Sequence, residues 1–270
     1  MESAYAKSHF RPTEIEHRYG PNVHLLDDPL AWTQLARLCA RETGQPQVGR
    51  LVRVLYERLS EVVLAAEFPR TRIDVPTRMV SSSPQAVYRG VSVAASTKAV
   101  TVGIARAGTM PSQVVYDLFN EVLDPAGVRQ DHLFMSRMTD EAGRVVGATW
   151  HDAKIGRDVD GRIVLFPDPM GATGSSMISA ISHYKTKLDG TPAKCVTMHL
   201  IVTPEYIKNL LAAHPDTIIY ALRVDRGLSP ADVLATVPGT RWDEERGLDD
   251  HQYIVPGAGG VGELLNNAWV

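Results

Sequence analysis

Cysteine is scarce in this chain, and what there is excludes two whole classes of protein. Only Cys39 and Cys195 occur in 270 residues, far apart and outside any C-x-x-C spacing. A disulfide scaffold and a thiolate zinc site are therefore excluded. Each cysteine is expected to be a small buried hydrophobe in a reducing cytoplasm. The histidines form no H-x-x-x-H pair, and His132, His183 and His199 read as packing or surface residues rather than ligands. Positive charge is not in excess: the formal net charge is −3, so no nucleic-acid partner is expected. No apolar run approaches the roughly 20 residues that cross a bilayer, so no membrane partner is expected either. The stretch M-E-S-A-Y-A-K-S-H-F-R-P-T-E lacks the apolar core of a secretory signal, and residues 1–21 are expected to form a loose arm. Internal repeats and low-complexity tracts are absent.

What the chain does have is alternation between short apolar runs and amphipathic segments. Residues 28–67 carry apolar side chains at helical spacing, and Asp28 before Pro29 reads as an N-cap with proline at the first helical position. Residues 72–96 are rich in Val, Thr, Ser and Pro and suggest short strands and turns. Strands are predicted over 99–105, 132–136, 162–166, 195–202 and 217–224, with helices over 112–122, 176–184 and 205–214. Such alternation implies an α/β fold, with a mainly parallel central sheet and helices on both faces.

Ligands of such sheets bind at the carboxyl ends of the strands. The loop that follows strand 162–166 is the most telling, reading I-V-L-F-P-D-P-M-G-A-T-G-S-S-M over residues 163–177. Thr173, Gly174, Ser175 and Ser176 fall where a helix begins, and free amide groups and the helix dipole there favour an anion. Asp168 is a poor phosphate ligand but a good acceptor for a ribose diol. No Gly-Lys-Ser/Thr follows, so this is not a Walker A loop. On these residues alone, a capped strand-to-helix turn and a sugar-phosphate site both remain open.

The motif D-P-M-G-A-T-G-S-S resembles the phosphoribosyl-diphosphate loop of the type I phosphoribosyltransferases, in the form found in the uracil phosphoribosyltransferase family. Further segments are similar in the same order. They are N-V-H-L-L-D-D-P-L, A-R-A-G-T-M, H-P-D-T-I-I-Y-A-L-R-V-D and Y-I-V-P-G-A-G-G-V-G, and together they span residues 22–262. The resemblance implies a type I fold over 22–270 with an N-terminal helical arm and a C-terminal hood. It also implies phosphoribosyl transfer from 5-phosphoribosyl 1-diphosphate to uracil, giving UMP in pyrimidine salvage. By the same resemblance Asp168, Arg106 and Arg137 are the catalytic candidates, Asp168 holding the ribose hydroxyls. Arg106, Ala107, Gly108 and Arg137, the last on a mobile loop, would meet the diphosphate. Pro169, Met170, Gly171, Ala172, Thr173, Gly174, Ser175 and Ser176 would complete the sugar-phosphate loop. Ile254, Gly257, Gly259, Gly260 and Val261 would read the base through their backbone. Magnesium (Mg2+) would ride on the diphosphate rather than in a protein cage, and a homodimer or larger homo-oligomer is implied. Lys154 aligns only loosely with the family and reads as a surface lysine.

The sequence departs from the family pattern in several places. Ser175 stands where a second glycine is usual, which is tolerable unless that position needs a positive φ. The pyrophosphate loop continues Thr109-Met110-Pro111. Gly260 stands where the family has an acid that contacts the sugar–diphosphate and its metal, and Glu263-Leu264 replaces an Asp-Arg pair. An acidic stretch, 229–250, with Trp242, intervenes before Y-I-V and is expected to project from the hood beside the base. These departures leave two alternatives open: a different acceptor base, or a catalytically weak nucleotide-binding relative. G-A-G-G-V-G also satisfies the dinucleotide fingerprint G-x-G-x-x-G. A Rossmann unit is not expected, because Pro256 interrupts the strand-to-glycine approach and the eight residues after Gly262 could not supply its helix, second strand and acid.

Overall fold

The computed structural model describes residues 9–139 and 145–268, together with Tyr5. The chain runs through β1 (Val23–Leu25), α1 (Pro29–Cys39), α2 (Gln47–Glu67), β2 (Arg70–Pro76), β3 (Val87–Val93), β4 (Ala99–Ala105) and α3 (Thr109–Val122). It continues through β5 (Val128–Thr139), β6 (Val145–Lys154), β7 (Ile163–Pro167), β8 (Met170–Gly171), α4 (Ser175–Thr186), β9 (Lys194–Val202) and α5 (Pro204–Ala213). It closes with β10 (Ile218–Val224) and two short helices, α6 (Ala231–Leu234) and α7 (Val261–Asn266).

The main sheet has the order β1-β10-β9-β7-β4-β5-β6, with β8 on β9. All its pairings are parallel except β5 with β6. Strand β7 is buried throughout and β9 in all but its first residue, as the continuous apolar runs predict. Alternate residues of β7 serve opposite faces: Ile163 and Leu165 pack with α2 and α3, whereas Val164 and Phe166 pack with α4 and α5. Strand β5 reaches Thr139, beyond the predicted 136, because β6 returns along it as a hairpin partner. That pairing is not visible in local pattern. The stretch 72–96 becomes a separate antiparallel hairpin, β2–β3.

Asp28 caps α1 as expected, accepting from the amides of Leu30 and Ala31 at 3.1 Å each. The N-terminal helices α1 and α2 pack onto the sheet. Leu35, Leu38, Leu55 and Leu59 belong to the same core cluster as Met198 and Leu222 of the sheet. Their apolar stripes have nowhere else to go. Both cysteines are free, and burial pushes each thiol up to about 11, which leaves them unreactive.

Two further expectations are corrected. The second half of the 1–21 segment is docked: Ile15 N–H donates to the Leu25 carbonyl, Arg18 N–H to Pro238, and Tyr19 is buried. The stretch 229–250 does not project beside the base. Its Glu245 is fully buried and accepts from Tyr19 Oη at 2.6 Å, Arg226 at 2.7 Å and Gly239 N–H at 2.8 Å. Trp242 packs edge-on against Tyr19 and donates to the Pro204 carbonyl at 3.0 Å. The buried carboxylate is satisfied by donors from the stretch itself, from Arg226 beside it and from Tyr19 of the N-terminal segment, which folds the stretch against that segment.

Removing that carboxylate leaves the Arg226 guanidinium, itself mostly buried, without its counter-charge. Glu245→Ala is expected to lower the unfolding free energy by about 3–5 kcal/mol in urea titration. A loss under about 1 kcal/mol would show that the network does not hold the stretch in place.

Candidate active site

A pocket of about 660 Å³ opens at the carboxyl ends of β4 and β7, where the topology directs ligands. One wall is the loop after β7. Gly174 sits at the N-cap of α4 with φ +87°, a conformation that glycine adopts without the Cβ penalty. The adjacent Ser175 is the first helical residue and has no positive φ, so its departure from glycine costs no backbone strain. The Thr173 hydroxyl lies 3.2 Å from that of Ser175. The loop is tied from below. Thr203 Oγ1 donates to the Ala172 carbonyl at 2.7 Å, and the Asn209 amide donates to Thr173 at 3.0 Å. The first-turn amides of α4, which lack helical partners, thus face the pocket together with three hydroxyls.

Asp168 follows the last residue of β7. Its amide still donates to the Met198 carbonyl at 3.0 Å, and its Oδ1 accepts from Met170 N–H at 3.1 Å. Its own carbonyl accepts from His199 Nδ1 at 2.6 Å, and His199 Nε2 lies 2.6 Å from the Tyr206 hydroxyl. A carbonyl cannot donate, so Nδ1 carries the proton and Tyr206 donates to Nε2. Burial drives the His199 pKa down to about 4, against the Asp168 carbonyl bond, which raises it. The imidazole is therefore neutral and holds the Asp168 backbone from beneath.

The opposite wall is the turn after β4. The peptide between Ala105 and Arg106 is cis. Gly108 is wedged so closely that a Cβ there would lie 2.9 Å from the Ile104 carbonyl oxygen and 3.0 Å from that of Pro167. Arg106 is half exposed, and both ends of its guanidinium are engaged. One nitrogen donates to the Ala268 carbonyl at 2.8 Å and the other to Glu263 at 3.2 Å. Helix α7, which carries Glu263, begins directly after Gly260, and the segment from Gln252 to Gly262 roofs the pocket.

The pocket brings together Arg106, Ala107, Asp168, Met170, Ala172, Thr173, Gly174, Ser175 and Ser176 with Ile254, Gly259, Gly260 and Val261. Four expected residues lie outside its lining. Gly108 and Gly171 are packed against neighbours, and the Pro169 carbonyl accepts from Leu200 and Ile201 N–H. The Gly257 amide is committed to the Asp225 carboxylate at 2.8 Å, and its positive φ of 57° shapes the turn. Arg137 lies on β5 opposite Ala148, in a strand rather than a loop, and its side chain lies outside the described part of the structure. Lys154 is exposed at the end of β6. Sequence reasoning missed His199, Tyr206, Tyr253 and Glu263 as lining residues. His199 and Tyr206 alternate with apolar neighbours on buried elements and carry no local signal. The stretch 229–250 contributes nothing to the lining.

Among the described residues no three Asp, Glu, His or Cys side chains gather to hold a metal. The carboxylates lining the pocket are Asp168 and Glu263. That donor set fits an ion that arrives on a diphosphate and keeps most of its oxygen ligands from substrate and water.

The sheet order, with its ligand loops on the carboxyl edge, is that of a type I phosphoribosyltransferase, a class of pentosyltransferases. The AQ2163 protein from Aquifex aeolicus shares the fold, with a TM-score of 0.69 at 20% identity over 92% of this chain and 99% of that one. A sequence model described as uracil phosphoribosyltransferase matches residues 25–241, and the chain belongs to that family. The uracil phosphoribosyltransferase of Rhodococcus jostii (strain RHA1) is 27% identical over 90% of this chain and 97% of its own length. That of Dictyoglomus thermophilum is 30% identical over 90% and 98%.

Because His199 is proton-poor in the folded state and has an ordinary pKa of 6.5 when unfolded, the unfolded chain binds more protons between those values. Stability conferred by neutral His199 is complete above about pH 6.5 and is lost as pH falls towards 4. The loss is at most about 3 kcal/mol. Thermal melts of the wild type should fall across this window, and His199→Gln should flatten the slope. An unchanged slope would refute the assignment.

Proposed function

We propose that the protein transfers the phosphoribosyl group of 5-phosphoribosyl 1-diphosphate to uracil, giving UMP and pyrophosphate in pyrimidine salvage. The observation that carries this reading is one pocket walled by a helix N-terminus and Asp168 on one side and Arg106 on the other, beneath a backbone roof. The family membership supports uracil as the acceptor.

On this reading the first turn of α4, with Thr173, Ser175 and Ser176, holds the 5-phosphate. Asp168 accepts from the ribose hydroxyls and favours the positive charge that develops on the sugar ring. Uracil N1 bonds to C1 as the C1–oxygen bond breaks; the electron pair leaves with pyrophosphate, and the N1 proton leaves the base. Arg106 and the Ala107 backbone receive the charge of the leaving group, and Arg137 is assigned to the same anion. Magnesium carried by the diphosphate supplies further charge neutralisation. Ile254, Gly259, Gly260 and Val261 present backbone groups to the uracil edge. Backbone readout depends on chain path more than on side chains, which is how it can persist at 27% identity.

The same reading makes the protein a cytoplasmic homodimer or larger homo-oligomer. The hairpin β2–β3, outside the main sheet and exposing Val75 and Tyr88, with Met79 and Val80 between its strands, supports a contact between copies. A second reading, a nucleotide-binding relative with little turnover, is favoured by Gly260 at the acid position.

The test is to incubate the protein with phosphoribosyl diphosphate, magnesium and a panel of bases, following nucleotide and pyrophosphate. UMP is the expected product, and Asp168→Asn should lower kcat by about a hundredfold or more. Tight UMP binding without product from any base would overturn the enzymatic reading in favour of the second. An unchanged kcat in the variant would remove Asp168 from its role.

A further inference from the structure

Arg106 is the guanidinium at the diphosphate end of the pocket, yet it already has an anion. Glu263, in the first turn of α7, holds one of its terminal nitrogens at 3.2 Å, and the Ala268 carbonyl holds another at 2.8 Å. Glu263 also lines the pocket. A diphosphate that reaches Arg106 therefore meets a carboxylate of its own sign beside the group it needs. Arginine and carboxylate together are neutral, so a bare polyanion gains little by displacing one from the other. A polyanion that brings a divalent cation gives the released carboxylate a partner, and both charges end up matched.

We infer that Glu263 is the specificity-determining residue of this site: it occupies Arg106 until a diphosphate carrying its own cation arrives, and it thereby excludes metal-free polyanions. The inference rests on the phosphoribosyl reading and adds to it a reason for preferring the metal-bound substrate.

The position of the carboxylate provides an internal check. A Cβ placed on Gly260 would lie 2.4 Å from Glu263 Oε2. That is about the separation that covalent geometry sets between the Cβ of an aspartate and its own carboxylate oxygens. Glu263 Oε2 thus lies at the distance from that Cβ at which an aspartate at position 260 would carry its own oxygens. The two cannot coexist without a shift, but one can replace the other.

The experiment is calorimetric titration of inorganic pyrophosphate into the full chain, with magnesium chloride and with a chelator instead, for wild type, Glu263→Gln and the double variant Gly260→Asp with Glu263→Ala. Wild type should bind about tenfold more tightly with magnesium than without. Glu263→Gln should bind metal-free pyrophosphate about tenfold more tightly than wild type, so that the magnesium ratio collapses. The double variant, its carboxylate restored from position 260, should recover the ratio. This rescue separates loss of charge from loss of fold. An unchanged ratio in Glu263→Gln overturns the inference, as does equal tightening with and without magnesium, which would make Glu263 a plain competitor. If wild type binds no pyrophosphate under either condition, the phosphoribosyl reading fails and this inference falls with it. Failure of the ratio alone leaves that reading standing.

Discussion

Strand β7 is clamped between two parallel neighbours, β4 and β9, and all five of its residues are buried. A strand covered on both faces has no place for a charged carboxylate, so the first acid appears where the ladder runs out. The amide of Asp168 still follows β9, bonding to Met198, while its carbonyl is met by His199 from the same strand. The carboxylate is thereby aimed by the sheet itself. The cradle at α4 follows within seven residues and is pinned by Thr203 and Asn209, from the loop after β9 and from α5. The Asp168 wall of the pocket is therefore an extension of the sheet's hydrogen bonding.

The Arg106 wall is built differently. Arg106 leaves β4 on a turn that Gly108 allows to lie against the backbone of Ile104 and Pro167. Its charge is then balanced by a distant part of the chain, Glu263 on α7, in a half-exposed pair. Pairs of that kind are weak and exchangeable. One wall of the site is thus preorganised, while the other rests on an ion pair that must open before Arg106 can meet an anion. This division suits a reaction whose leaving group must bind and then depart.

The legibility of these features followed the range of the interactions behind them. Strands β4, β7, β9 and β10 were readable because burial on both faces demands uninterrupted apolar runs, and Asp28 because capping is local. The Gly174 cradle was readable for the same reason. The length of β5 was not, since its far half exists only by pairing with β6. Nor was the path of 229–250, because an acidic stretch reads as solvated until a buried arginine is brought to Glu245. The roles of His199 and Tyr206 depend on two elements meeting under Asp168, and nothing in either segment announces it.

By itself the sequence determined the α/β class, the order of its strands and helices, and the glycine-hydroxyl turn at the start of α4, because each is encoded within a few consecutive residues. It also showed the loss of an acid at Gly260. Only the tertiary structure decided that Gly257 is tied up by Asp225, that the hood stretch packs away from the pocket, and that Glu263 pairs with Arg106. These are outcomes of charge and hydrogen-bond satisfaction between segments far apart in the chain. A buried or crowded polar group takes whichever partner the fold brings within reach, and proximity in space is not written in local pattern.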